Sequence, residues 1–123
     1  MIVSFAWTTP ALLAGAKTVT RRDWTAEYAA RFRAGHLVDA WDRSPRTGKG
    51  RKVATISLTC DPYQQMSDAL HPLEYRDEGF LWLDAHGHRE TIARIVDDWH
   101  DNARLLWVVR FELVRVEVAG PQH

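Results

Sequence analysis

The chain has little of several features that mark common classes of protein. It contains one cysteine, Cys60, among 123 residues, which excludes an internal disulfide framework and any zinc site built from cysteine pairs. No apolar run approaches about 18 residues and no charged segment precedes an apolar one at the start, so we expect neither a membrane span nor a signal peptide. A lone reduced thiol agrees with a cytoplasmic protein, which is our expectation.

Net charge is also absent, because 16 Lys and Arg balance 16 Asp and Glu. Such a balance is not typical of a strongly basic nucleic-acid-binding protein or of an acidic disordered tail. It nevertheless hides a split. Residues 1–52 carry ten basic and four acidic side chains, a net +6, whereas residues 53–123 carry six and twelve, a net −6. The split indicates either a site for a polyanion or two halves that neutralise each other within one fold.

The chain is rich in apolar and aromatic residues, since 46% of its residues are hydrophobic and six are tryptophans. The length is that of one domain, residues 1–123, with enough apolar residues for a core. Three tryptophans lie on apolar faces and are predicted to be core: Trp82, Trp99 and Trp107. The other three flank turns or basic segments, where an indole can stack on a nucleobase: Trp7, Trp24 and Trp41.

Residue patterns predict an α+β fold, a small mixed β-barrel with helices packed outside it. Extended segments are predicted at residues 2–5, 17–22, 36–42, 51–60 and 105–118, and helices at 10–14, 26–33 and 89–99. The third and fourth extended segments should form a hairpin with a long basic tip, and residues 61–74 should be irregular or short-helical. Apolar alternation in the last segment changes parity near Leu113 and Val114, which implies a bulge that bends the strand around a barrel.

Residues that can carry chemistry concentrate between Gly15 and Asp23. Lys17 precedes Thr20 by three residues, and two arginines, Arg21 and Arg22, follow the threonine. A lysine amine acts as a base only when burial or nearby cations lower its pKa, and the arginines can supply the cations. The segment therefore offers a base, a hydroxyl nucleophile and two anion-binding groups. The alternative is a solvated basic edge strand whose threonines were selected for β propensity.

Glu78 is a candidate partner for Lys17. It precedes Gly79, which lets the backbone approach another element closely, and in a shared cleft its carboxylate can orient the amine or act as an acid or base. A Glu-Gly pair alone commonly marks only a helix end. His86 and His88 lie two residues apart without further nearby ligands, so the sequence predicts no metal site and no cofactor.

Four blocks of the chain resemble the signature of the ASCH domain family: Ala11–Arg22, Arg33–Val38, Glu78–Phe80 and Trp107–Phe111. The first block, with an apolar helical turn, a glycine and then Lys-Thr-Val-Thr-Arg, is the most specific. The resemblance implies a PUA-like β-barrel flanked by helices, with a cleft for RNA, a nucleotide or a modified nucleoside. It also implies an amidohydrolase that removes the acyl group from N(4)-acetylcytidine, because some small bacterial members are of that kind.

Carried over by motif, the family's catalytic lysine, threonine and glutamate correspond to Lys17, Thr20 and Glu78. Seven further residues are candidates for binding the substrate or RNA: Arg21, Arg22, Trp24, Trp41, Arg46, Lys49 and Arg51. Two functions stay open from the sequence, an acylcytidine hydrolase and a non-catalytic RNA-binding module or weak ribonuclease. The expected partner is a nucleoside or RNA and not a membrane. The oligomeric state is left open between a monomer and a weak dimer.

Overall fold

The computed structural model describes residues 1–117, within which six strands form one mixed sheet. The strands are β1 Ile2–Ser4, β2 Val19–Arg22, β3 Leu37–Trp41, β4 Lys52–Leu58, β5 Tyr63–Met66 and β6 Leu105–Val116. The helices are α1 Thr9–Leu13, α2 Ala26–Ala29, α3 Pro72–Asp77, α4 Phe80–Ala85 and α5 Arg89–Asp101. None of the helices in this part of the chain is both long and apolar enough to cross a membrane.

The sheet is an open half-barrel with the order β1-β3-β4-β6-β2, and β5 also pairs with β6. β1 and β3 run parallel, and the other pairs are antiparallel. The two outer strands of the sheet come close to each other, since the Arg22 guanidinium on β2 reaches the Ser4 carbonyl of β1 and donates to it at 2.5 Å. The gap between β1 and β2 is where the candidate site lies.

The predicted bulge is confirmed in β6. Thr55 lies opposite Arg115 and Ile56 lies opposite Leu113, so Val114 is the extra residue that breaks the register. Leu113 packs against the core while Val114 is 54% exposed, which accounts for the change of parity in the sequence.

Several boundaries differ from the sequence predictions. Residues 61–74 were expected to be irregular or helical, yet they contain β5, whose Gln64 and Gln65 give no apolar alternation to reveal it. The second helix is shorter than predicted, although Thr25 caps it as expected by accepting from the Tyr28 amide. The predicted hairpin of β3 and β4 is confirmed. Val118, the predicted end of the last strand, lies outside the described residues.

Two apolar clusters meet at α1. Leu12 packs into the larger one, which includes residues of β1, β3, β4 and β6. Its neighbour Ala11 packs into the other, beside Phe80 of α4 and Ile92 of α5. Both α1 side chains are fully buried. This short helix therefore joins the sheet to the helical layer, and the segment that follows it runs between them.

Candidate active site

Lys17 is placed by the turn between α1 and β2. Gly15 takes a left-handed φ of +74°, and the Ala16 amide donates to the Ala11 carbonyl at 2.9 Å, which reverses the chain. The Thr18 amide then donates to the Asp77 carbonyl at 2.7 Å. The start of β2 is thereby tied to the end of α3, directly before Glu78.

Gly79 brings Glu78 to Lys17. It joins α3 to α4 with a φ of +84°, and a Cβ at this position would lie 2.9 Å from the Ala11 Cβ and 3.1 Å from the Lys17 Cβ. The close approach of backbone predicted for this glycine is therefore present. Only a residue without a side chain lets the corner between α3 and α4 sit against α1 and the lysine.

We expect Gly79→Ala to destabilise the fold and to displace the Glu78 carboxylate from Lys17. The backbone strain of a left-handed alanine costs about 1 kcal/mol or more, and the contacts with Ala11 and Lys17 add about 1–3 kcal/mol of overpacking. Gly87→Ala is the matched control, because Gly87 has a φ of +91° but nothing within 4 Å of its added Cβ. Denaturant unfolding measures both variants, and equal losses of stability would contradict the packing role of Gly79.

Lys17, Glu78 and Arg21 form a buried ionic cluster. The Lys17 Nζ donates to the Glu78 Oε1 at 2.8 Å and to the Glu78 carbonyl at 3.0 Å. An Arg21 guanidinium nitrogen donates to the other carboxylate oxygen at 2.5 Å. Lys17 and Glu78 are each only 2% exposed. One carboxylate thus holds two cationic side chains out of water.

This arrangement lowers the pKa of Lys17. Burial is the main cause that lowers the pKa of Lys17 from its ordinary 10.5, and the charges of Arg22 and Arg21 lower it further. The charge of Glu78 and its hydrogen bond oppose these effects without cancelling them. Arg21 also donates to the Glu78 carboxylate, so Lys17 is not the only cationic partner of Glu78.

Thr20 faces the same cleft. It is 5% exposed, and its hydroxyl accepts from the Arg22 Nε at 3.3 Å. Among the described residues, both hydrogen bonds of the Lys17 amine go to Glu78. The Thr20 hydroxyl therefore lies against the Arg22 guanidinium, while the Lys17 amine is held by the Glu78 carboxylate. All three catalytic candidates, Lys17, Thr20 and Glu78, line one cavity.

The cleft has a volume of about 210 Å³ and an aromatic wall. Trp7 stacks on Phe80 with 6.3 Å between ring centroids and 16° between planes, and Trp99 closes the wall beside Arg21. Trp99 was predicted to be core, and it does pack on the helical cluster, but it is only partly buried and also lines the cleft. The apolar stripe of the predicted helix indicated that Trp99 is on a buried face, but it did not show that this face borders a cavity.

A supporting network holds Arg21 in place, and the sequence did not predict it. Arg21 donates to the Gln65 Oε1 at 2.9 Å and lies 3.1 Å from a Glu74 carboxylate oxygen. Glu74 also accepts from Arg110 of β6 at 2.8 Å. Glu74 precedes Glu78 by four residues, the spacing that places two side chains on one helix face, so this signal was present in the sequence.

Comparison with known proteins informs the fold. No family model matches the chain, and no curated protein matches it. Among solved structures, it is similar to the crystal structure of protein EF3133 from Enterococcus faecalis V583, which carries the family description DUF984. The identity is 19%, the match covers 96% of this chain and 76% of that one, and the TM-score is 0.56. At this identity the likeness establishes a shared small α+β half-barrel fold.

The remaining predicted binding residues are divided between two places. Arg22, Trp24 and Arg46 line a second pocket beside the cleft, whereas Trp41, Lys49 and Arg51 line neither cavity. Arg51 lies near Asp42 at 3.7 Å, and the buried Trp41 Nε1 has no hydrogen-bond partner among residues 1–117. Within the same residues no group of three or more His, Cys, Asp and Glu side chains is placed to hold a metal ion.

Proposed function

We propose that the chain is an ASCH-type, PUA-like amidohydrolase that removes the acyl group from N(4)-acetylcytidine or a related acylated nucleoside. The observation that carries the proposal is the buried Lys17 amine, with a lowered pKa, held by Glu78 in the cleft that contains the Thr20 hydroxyl. The resemblance of residues 11–22 and 78–80 to the family motifs assigns the same three side chains.

In the first half of the proposed reaction, the Thr20 oxygen attacks the amide carbonyl and Lys17 takes the hydroxyl proton. Arg22, which already donates toward the Thr20 oxygen, stabilises the negative charge that develops on the carbonyl oxygen. The carbon–nitrogen bond then breaks, and Lys17 returns the proton to the departing exocyclic nitrogen of cytidine. The acyl group is left as an ester on Thr20.

In the second half, a water molecule attacks the ester while Lys17 takes its proton. Collapse of this intermediate releases the carboxylic acid and restores the proton to Thr20, so the lysine is neutral again. Glu78 holds the amine in place throughout, and Arg21 keeps the carboxylate neutralised so that Lys17 stays available as a base. The rings of Trp7, Phe80 and Trp99 supply a flat apolar wall suited to a pyrimidine.

Replacing Thr20 tests the nucleophile. We expect Thr20→Ala to lower kcat/KM for N(4)-acetylcytidine at least about 100-fold, and Thr20→Ser to restore most of the activity because the hydroxyl is kept. Thr18→Ala is the matched control, since Thr18 is exposed two residues away. Mass spectrometry of acid-quenched enzyme should detect an acyl group on Thr20, and full activity of Thr20→Ala would exclude this nucleophile.

A non-catalytic RNA-binding module is the competing function. It is favoured by the exposed hairpin tip, where Arg46 and Lys49 have no ion-pair partner among the described residues. For such a module, affinity for a single strand should fall by about 0.7 log unit per log unit of salt for each phosphate contacted. Hydrolysis of a neutral nucleoside should instead depend weakly on salt.

A further inference from the structure

A second pocket continues the gap between β1 and β2 beyond the catalytic cleft, and we call it the outer pocket. It has a volume of about 330 Å³ and shares two residues, Ser4 and Arg22, with the cleft. Its other walls come from β1, from the start of α2 and from the hairpin tip: Ile2, Val3, Trp24, Tyr28, Ser44, Pro45 and Arg46. The two cavities therefore adjoin at Arg22, with Thr20 on the cleft side.

The outer pocket has the charge of an anion site. Two of its lining residues, Arg22 and Arg46, are guanidinium groups, and none of the described residues that line it is acidic. The Arg46 side chain has no hydrogen bond or ion pair to any residue in 1–117. The Arg22 guanidinium, which is held by the Ser4 carbonyl, and the Arg46 guanidinium, which has no such partner among residues 1–117, thus line one cavity. Hydroxyl and aromatic groups line it as well. Guanidinium and hydroxyl groups are donors suited to the oxygens of a phosphate.

The aromatic wall of the outer pocket packs on the core. Trp24 stacks on the buried Phe32 with 4.6 Å between centroids and 14° between planes, and Tyr28 meets its edge at 5.0 Å. One indole face is therefore committed to the core. Such a wall can pack against a sugar, while the arginines provide the charged part of the recognition.

We propose that the outer pocket binds a phosphate attached to the sugar of the substrate, so that the enzyme prefers an acylated cytidine nucleotide over the free nucleoside. This inference rests on the proposed function, since it places the acylated base in the cleft. From there the sugar passes Arg22 and Ser4, and its phosphate reaches Arg46. The phosphate belongs either to a mononucleotide or to an RNA strand, and the chemistry of the pocket is the same for both.

Product binding tests the pocket without requiring catalysis. We expect cytidine 5′-monophosphate to bind the full chain at least about tenfold more tightly than cytidine in calorimetric titrations, because a guanidinium–phosphate contact is charge-assisted. Arg46→Ala should remove most of this ratio. Arg43→Ala, which removes the same charge from the same exposed loop but not from the pocket lining, should preserve it. Equal affinities for the two ligands, or an unchanged ratio in Arg46→Ala, would overturn the inference.

Kinetics with the acylated ligands separates the two proposals. A higher kcat/KM for N(4)-acetylcytidine 5′-monophosphate than for the nucleoside, lost in Arg46→Ala, supports both. If neither compound is hydrolysed while the binding ratio and its dependence on Arg46 hold, the hydrolase proposal fails and the phosphate pocket stands. A trinucleotide ending in cytidine that binds more tightly than the monophosphate, again through Arg46, identifies RNA as the source of the phosphate.

Discussion

Lys17→Met is expected to lower kcat/KM for N(4)-acetylcytidine by about 10²- to 10⁴-fold, the range for loss of a general acid–base group, while the chain stays folded. Methionine keeps the aliphatic bulk of the buried lysine, and Glu78 retains Arg21 as its counterion at 2.5 Å. No buried charge is therefore left without a partner. Circular dichroism and denaturant unfolding would establish that the loss is chemical.

Lys52→Met is the matched control for Lys17. Lys52 lies away from the cleft at the start of β4, within 3.2 Å of Asp39 and of Glu117, and is partly exposed. Its replacement should leave kcat/KM unchanged. If Lys17→Met kept activity within a few-fold of the unmodified chain, Lys17 could not be the base.

The pH profile follows from the same lysine. Because burial lowers its pKa below the ordinary 10.5, kcat/KM should rise with pH as the amine loses its proton and should level off before pH 10.5. This rise should be absent from the residual activity of Lys17→Met. A rate that still increases through pH 10.5 would indicate an unperturbed lysine.

Glu78→Gln is expected to have the largest effect on stability. It removes the carboxylate shared by Lys17 and Arg21; Arg21 keeps Glu74 at 3.1 Å, whereas the Lys17 charge is left buried against a neutral amide. Breaking a buried ion pair from one side costs about 3–5 kcal/mol. Denaturant unfolding at neutral pH measures the loss, with Glu112→Gln on the exposed face of β6 as the control.

The loss in Glu78→Gln should diminish as the pH rises. Without Glu78, which raises the pKa of Lys17, the folded-state pKa falls further below the unfolded value of 10.5. Between those two values the unfolded chain binds more protons than the folded one, so the free energy of unfolding increases with pH. Adding Lys17→Met to Glu78→Gln should recover stability at neutral pH. If the double variant is no more stable than Glu78→Gln, the buried charge of Lys17 is not the cause of the lost stability.

The parts of this architecture encoded locally could be predicted from the sequence. Alternation in the two hairpin strands, the capping threonine Thr25 and the parity change at Val114 each depend on residues close together in the chain. Lys17, Thr20 and Arg21 are also close in the chain, but strand alternation alone puts Thr20 and Arg21 on opposite faces, so their shared cleft did not follow from spacing.

The contacts that complete the site could not be predicted in the same way. Arg21 and Glu78 are 57 residues apart, and their contact depends on how α3 and α4 dock on α1. Gln65 reaches Arg21 from β5, a strand with no apolar pattern of its own. Trp99 had the sequence signature of a core residue. An apolar stripe shows which face of a helix is buried, but it does not show that one residue of that face borders a cavity.

The most direct measurement is the appearance of cytidine and the free acid when the purified chain is incubated with N(4)-acetylcytidine, followed by chromatography with mass detection. We expect equimolar cytidine and acetate from the unmodified chain at a pH where Lys17 is neutral, and a loss of both in Thr20→Ala and in Lys17→Met. Unchanged N(4)-acetylcytidine with the unmodified chain, or the same products at the same rate from both variants, would contradict this expectation.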